Sequence, residues 1–164
     1  MKTQLITTRK ATVRDADAIA AIVNLHAQTG VMLPRPISRI YENIRDYVVV
    51  EVGGEIVGCG AVHVMWADLA EIRAVAIRRE DKGRGYGRAL VEALVDEAIG
   101  LDVDRVFVLT YQVDFFGRMG FNRIDKSELP HKIWSECVNC IHFPNCDEVA
   151  MIRYLKNASN SGQL

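Results

Sequence analysis

The sequence predicts a mixed α/β fold, and three observations carry that prediction. β-prone runs and amphipathic helical runs succeed one another along the chain. Two of the β-prone runs meet at Gly53-Gly54, a pair suited to a hairpin turn. A glycine-rich segment, Gly83 to Gly87, then joins an apolar strand to an amphipathic helix. At 164 residues the chain is long enough for one domain with a substantial core. That domain is expected over residues 1–156, with the small, polar residues 157–164 as a flexible C-terminal tail.

The elements follow in order. Thr7 to Val13 suits an opening strand, and Asp15 is placed to cap the helix after it, in which Ile19, Ile22, Val23 and His26 recur at helical spacing. Gly30, Pro34 and Pro36 make Thr29 to Pro36 an irregular loop, followed by a short helix from Ser38 to Arg45. Tyr47 to Val52 and Glu55 to Met65 read as the strands of the hairpin, and Ala67 to Ile77 as the next strand. Leu90, Val91, Leu94, Val95 and Ala98 give the helix Gly85 to Gly100 its apolar stripe. Arg105 to Leu109 is a continuous apolar run, as in a central strand. A short helix around Asp114 to Met119 stops at Gly120, and Val149 to Leu155 supplies a last strand.

Composition narrows the function classes. Apolar residues make up 49% and charged residues 25%, the balance of an ordinary soluble protein. A net charge of -1 gives no global field toward nucleic acid or an anionic membrane, so neither is expected as a partner. No run approaches the roughly 18–20 apolar residues of a membrane span. Met1 to Lys10 is polar and lacks the apolar segment of a secretory signal, so the expected compartment is the cytoplasm. There the cysteines at 59, 137, 140 and 146 would be reduced thiols or metal ligands.

The segment Val75-Ala76-Ile77-Arg78-Arg79-Glu80-Asp81-Lys82-Gly83-Arg84-Gly85-Tyr86-Gly87-Arg88 is a strand, a glycine-rich loop and a helix start. Such a junction leaves backbone N–H groups unpaired and converging, where the helix dipole also favours negative charge. Glycines allow a phosphate close to the backbone, and Lys82, Arg84 and Arg88 add positive charge. The spacing is neither G-x-x-x-x-G-K-[ST] nor G-x-G-x-x-G, which sets aside a nucleotide P-loop and a dinucleotide fold.

Lys82-Gly83-Arg84-Gly85-Tyr86-Gly87 does resemble the coenzyme A loop, Q/R-x-x-G-x-G/A, of the GCN5-related N-acetyltransferase (GNAT) superfamily, with lysine in the first position. The resemblance implies a central, mixed, mostly antiparallel twisted sheet flanked by helices, and acetyl-CoA as co-substrate. It also implies that the backbone of Val75, Ala76 and Ile77 pairs with the pantetheine arm while Lys82, Gly83, Arg84, Gly85, Tyr86, Gly87 and Arg88 hold the pyrophosphate.

Two charged residues sit in the apolar strand before this loop. By alternation Glu71 and Arg73 share a face with Leu69, Val75 and Ile77. One reading is a mutual or cross-strand ion pair. The other is chemical: an ammonium acceptor must lose a proton before attack, and a strand carboxylate can take it directly or through water. Glu71 stands four residues before Val75, where superfamily members with a strand glutamate as base carry it. Arg73 suits a substrate carboxylate. Where many members have a tyrosine to protonate the leaving thiolate, Phe115-Phe116-Gly117-Arg118-Met119-Gly120-Phe121 places Phe116, which donates nothing. Water and Tyr111 both stay open as the acid.

The segments Leu129-Pro130-His131-Lys132-Ile133-Trp134 and Cys137-Val138-Asn139-Cys140, running on to Phe143-Pro144-Asn145-Cys146, resemble the C-terminal signature of short, stand-alone bacterial N-acetylglutamate synthases. Met32-Leu33-Pro34-Arg35 and Glu71-Ile72-Arg73 resemble that group too. The implied reaction is acetyl transfer to the α-amino group of L-glutamate, the first step of arginine biosynthesis, and a homodimer is what the resemblance suggests. A dicarboxylate needs at least two cationic or hydrogen-bonding anchors; Arg35, Arg73 and Lys132 are the candidates, each with an ordinary reading as an exposed or structurally paired charge. The competing acceptors are glutamine, another amino acid or a small amine, and the competing class is a weakly catalytic acetyl-CoA-binding module. Cys137, Cys140, Cys146 and His142 could supply a zinc site but lack the usual second short pair, so no metal is assigned.

Overall fold

The computed structural model describes residues 5–28, 34–130 and 148–155. Its elements are β1 (Ile6–Lys10), α1 (Ala16–Ala27), α2 (Ile37–Glu42), β2 (Tyr47–Val52), β3 (Glu55–Trp66), β4 (Leu69–Ile77), α3 (Tyr86–Gly100), β5 (Arg105–Thr110), α4 (Val113–Arg118), β6 (Asn122–Arg123) and β7 (Val149–Tyr154). Short 3-10 turns occupy Val13–Asp15, Ile44–Asp46, Arg79–Asp81 and Lys126–Glu128. The strands form one seven-stranded sheet in the order β1-β2-β3-β4-β5-β7-β6. The expected mixed α/β class holds. The chain divides into two compact units, Met1–Val62 with Ile72–Glu97, and His63–Glu71 with Ala98–Leu164.

In the first unit β1 runs antiparallel to β2, and β2 antiparallel to β3 with a bulge after Val50. The apolar face of α1 packs as expected: Ile19, Ile22 and Val23 join Val49, Cys59, Ala61, Ala74 and Ala76 in one buried cluster. The opening strand is shorter than predicted because a 3-10 turn at Val13–Asp15 ends it. Asp15 occupies the N-cap position of α1, yet its side chain makes no cap bond to that helix. It closes a capping box on the turn before, accepting from the Thr12 backbone N–H at 2.8 Å, and takes a two-pronged ion pair from Arg9 at 2.8 and 3.0 Å.

In the second unit β5 pairs in parallel with the start of β4, through Leu69↔Arg105, Ala70↔Val106 and Glu71↔Phe107. On its other side β5 runs antiparallel to β7, which also carries β6. Leu69, Phe107, Leu129, Ala150 and Ile152 form the core here. Helix α4 ends as the sequence predicts. Gly120 takes φ 92°, its N–H bonds Gly117 O at 3.1 Å, and Phe121 N–H bonds Phe116 O at 3.0 Å, the paired bonds of a Schellman stop.

Candidate active site

The site begins with how β4 is held. Gly58 and Gly60 on β3 leave room for it: a Cβ on Gly58 would lie 2.5 Å from Ile77 Cδ1 and 3.1 Å from Ala76 O, and one on Gly60 would lie 3.3 Å from Val75 Cγ2 and 2.8 Å from Leu94 Cδ1. Glycine at these positions lets Val75, Ala76 and Ile77 and helix α3 close over β3 without a side chain between them. At the strand's end Arg78 N–H donates to Val57 O at 2.8 Å. His26, buried on α1, places Nε2 2.9 Å from Ile77 O. A carbonyl only accepts, so Nε2 carries the proton. His26 is thus a buried histidine whose ring bonds the last carbonyl of β4, ahead of the turn that leads to the glycine-rich loop.

Within β4 Ala74 has φ 57°, a left-handed backbone in a strand interior. Such a residue stores strain. The face predicted by alternation holds through it: Glu71, Arg73, Val75 and Ile77 are all half-buried and Ile72, Ala74 and Ala76 between them are buried, with Leu69 fully buried at the strand's start. Cys59 Sγ lies 3.7 Å from the Ala74 carbonyl. The paired register of β4 with β5 runs over Leu69, Ala70 and Glu71, so Ile72 to Ile77 lie beyond it.

The loop has the form its glycines require. After the 3-10 turn Arg79–Asp81, Gly83 and Gly85 take φ 81° and 84°, and a Cβ built on either meets nothing within 4 Å. Open space in front of glycines held at positive φ is what a phosphate approaching the backbone needs. The first turn of α3 carries no acidic residue, and Ala89 N–H makes the helix's opening bond to Gly85 O at 3.2 Å. The amides of the preceding residues are left without an acceptor within the helix. Lys82, Arg84 and Arg88 are exposed; Arg84 lies 3.7 Å from Asp81 and Arg88 3.4 Å from Glu92. Buried Asp81 also takes the Arg78 guanidinium at 2.7 Å, which pins the turn from behind. Tyr86 is buried as the first residue of α3.

Arg35 and Arg73 both bear electrostatically on Tyr47, a residue the sequence does not single out. Burial raises the Tyr47 phenol above its ordinary range, and the cations of Arg35 and Arg73 pull it the other way. Both arginines thus act on one buried tyrosine at the start of β2, and both are half-buried. Arg35 is itself gripped by its backbone: Asn24 Nδ2 donates to Arg35 O at 3.0 Å, and Arg35 N–H donates to Asn24 Oδ1 at 2.9 Å. Asn24 was missed as well, though its place one turn beyond Ala20 on the helix before a proline-rich loop is a signal of sorts.

Phe116 is buried and stacks edge-on with Phe115 and Phe121 at ring-centre distances of 5.0 and 5.4 Å. It packs in the core and supplies no proton. Lys132, His131, His142, Cys137, Cys140 and Cys146 lie outside the described residues. Among the described residues no group of three or more histidines, cysteines or acids is placed to hold a metal ion.

Residues 20–121, more than half of the chain, match the model of the Acetyltransferase (GNAT) family. The chain belongs to the GNAT acetyltransferase family. It is an N-acetyltransferase, and its fold agrees with solved GNAT structures. An uncharacterized N-acetyltransferase of Chlorobaculum tepidum is 42% identical over 90% of this chain and 95% of its own length. An amino-acid acetyltransferase of Mycobacterium tuberculosis is 37% identical over 78% of this chain and 75% of its own. Among solved structures, a Mycobacterium tuberculosis protein in complex with CoA and NLQ superposes with a TM-score of 0.80 at 32% identity, covering 92% of this chain and 99% of that one. The N-acetylglutamate synthase of Neisseria gonorrhoeae, complexed with coenzyme A and N-acetyl-glutamate, gives 0.85 at 25% identity, and this chain spans 36% of its length.

Proposed function

We propose that this GNAT enzyme transfers the acetyl group of acetyl-CoA to the α-amino group of L-glutamate. The observation that carries the reading is the junction of β4, the glycine-rich loop and α3, where Gly83 and Gly85 present open backbone ahead of a helix start free of acids. The acceptor side rests on Arg35 and Arg73, two half-buried cations, which match the two anchors a dicarboxylate needs. The relatives named as amino-acid acetyltransferases, and the neighbour crystallised with N-acetyl-glutamate, support this choice.

The coenzyme supplies a thioester whose carbonyl carbon accepts an amine. In this mechanism the β4 backbone at Val75, Ala76 and Ile77 splints the pantetheine arm in the manner of a neighbouring strand. The amides of Gly83 to Arg88, with Lys82, hold the diphosphate. Glu71 takes the proton from the acceptor ammonium, directly or through water, so that the nitrogen lone pair can attack. The new C–N bond forms as the C–S bond breaks, with no covalent enzyme intermediate; the nitrogen sheds its second proton to solvent, and the departing sulfur takes one up from water or Tyr111 so that coenzyme A leaves as the thiol. Arg35 and Arg73 fix the acceptor carboxylates, and Lys132 is a third candidate anchor.

A panel of amino acids, assayed for acetyl-CoA-dependent thiol release, tests the acceptor. Strong turnover with L-glutamate and little with the rest is the expected result; turnover confined to glutamine would overturn it. Glu71→Gln should lower kcat by about 100-fold or more while the KM for acetyl-CoA moves little. Equal loss in both would make Glu71 a structural residue.

A further inference from the structure

Arg35 sits between Pro34 and Pro36, neither of which has an N–H, so within this triplet it holds the backbone donor. The proline after it also restricts Arg35 to extended backbone. Its N–H and its C=O, lying on either side of the residue, both go to one side chain: Asn24 Oδ1 accepts the first at 2.9 Å and Asn24 Nδ2 donates to the second at 3.0 Å. Asn24 sits on α1, flanked by buried Val23 and near buried His26, so the clamp is mounted on a rigid helix. On the far side Pro36 O accepts the N–H groups of Arg39 and Ile40 at 3.0 and 3.2 Å, which opens α2. Arg35 is thereby fixed on one side by a helix-borne carboxamide and on the other by the start of a helix.

We propose that Asn24 is the positioning residue that fixes Arg35, and through it the enzyme's selection of an anionic acceptor. The assignment rests on the reading that Arg35 engages an acceptor carboxylate. The chemistry of the clamp is specific. A carboxamide presents one donor and one acceptor side by side, in the pairing a neighbouring strand would offer. Aspartate keeps the acceptor for Arg35 N–H but turns a carboxylate oxygen toward Arg35 O, so one bond is lost and a repulsion gained. Alanine loses both. Neither change touches the coenzyme loop, and half-buried Asn24 is not part of the core cluster on α1.

Three measurements test this. Steady-state kinetics of Asn24→Asp with L-glutamate should show a KM raised about tenfold, with kcat and the KM for acetyl-CoA each within about twofold of wild type. Arg35→Gln should raise the same KM, and Asn24→Asp combined with Arg35→Gln should be no worse than Arg35→Gln alone, since both act through one guanidinium. Hydrogen exchange at the Arg35 amide should be slow in wild type and in Arg35→Gln, and fast in Asn24→Ala. An unchanged glutamate KM in Asn24→Asp, alongside a raised one in Arg35→Gln, would overturn the proposal and leave the acceptor reading standing. An unchanged KM in Arg35→Gln would overturn the acceptor reading instead. A fall in all parameters together, or additive losses in the double variant, would mean that Asn24 serves only to hold the fold.

Discussion

The Arg9 guanidinium, bonded in two prongs to buried Asp15, holds that carboxyl below the usual carboxylate range. A depressed folded-state pKa contributes stability that is in place above the unfolded value, about 3.9, and is lost as pH falls through the lower folded value. Acid denaturation should accordingly be less steep near that limit in Asp15→Asn than in wild type. At neutral pH the same change should cost about 1–2 kcal/mol by chemical denaturation, modest because the Arg9 side chain is 36% exposed and its charge is screened. An unaltered acid transition would contradict this. Cys59 is governed by burial alone, which pushes its thiol up to about 12. It should resist alkylation at pH 8 in the folded enzyme and react on unfolding, as peptide mass mapping would show. The sequence marked Asp15 as a helix cap because an acid preceding an apolar helical run is the usual signal. What it did not disclose was the 3-10 turn that claims the carboxylate first.

Elements with an unbroken local pattern were legible: Tyr47–Val52 falls where its β-branched run predicts, and α3 differs from its expected span by one residue at its start. The two-residue β6 has no pattern to find, since its pairing with β7 is entirely non-local. The left-handed Ala74 was likewise hidden, because nothing about an alanine in an apolar run signals positive φ. The loop was legible because glycine is the residue that such backbone selects. Gly85→Ala places a Cβ at φ 84° in open space, so the cost is backbone strain, about 1 kcal/mol, and the acetyl-CoA KM should rise more than the glutamate KM. Gly58→Ala differs in kind. Its Cβ would press on Ile77 and on the Ala76 carbonyl, so it should destabilise by about 1–3 kcal/mol and weaken coenzyme binding by displacing β4. Equal Tm and KM in Gly58→Ala would contradict the close approach of the two strands.

At the scale of the whole molecule, every residue expected to touch the coenzyme, from Val75 to Arg88, belongs to the first compact unit, together with Arg35, Tyr47 and Arg73. Glu71 stands on the same strand two residues before Arg73. The family and its fold were therefore readable from one junction. The acceptor was read from Met32 to Arg35, from Glu71 to Arg73 and from a C-terminal segment that starts at Leu129, of which 131–147 lie outside the described residues; that leaves its side of the site to Arg35 and Arg73. A ligand that binds the folded state adds to its stability by mass action, so acetyl-CoA at 100 times its Kd should contribute about 2.7 kcal/mol and raise Tm. The most direct measurement is a crystal structure of the protein with coenzyme A. The account predicts the diphosphate seated on the backbone amides of Gly83 to Arg88 and the pantetheine arm running beside Val75 to Ile77. Coenzyme bound elsewhere, with these amides bare, would contradict it.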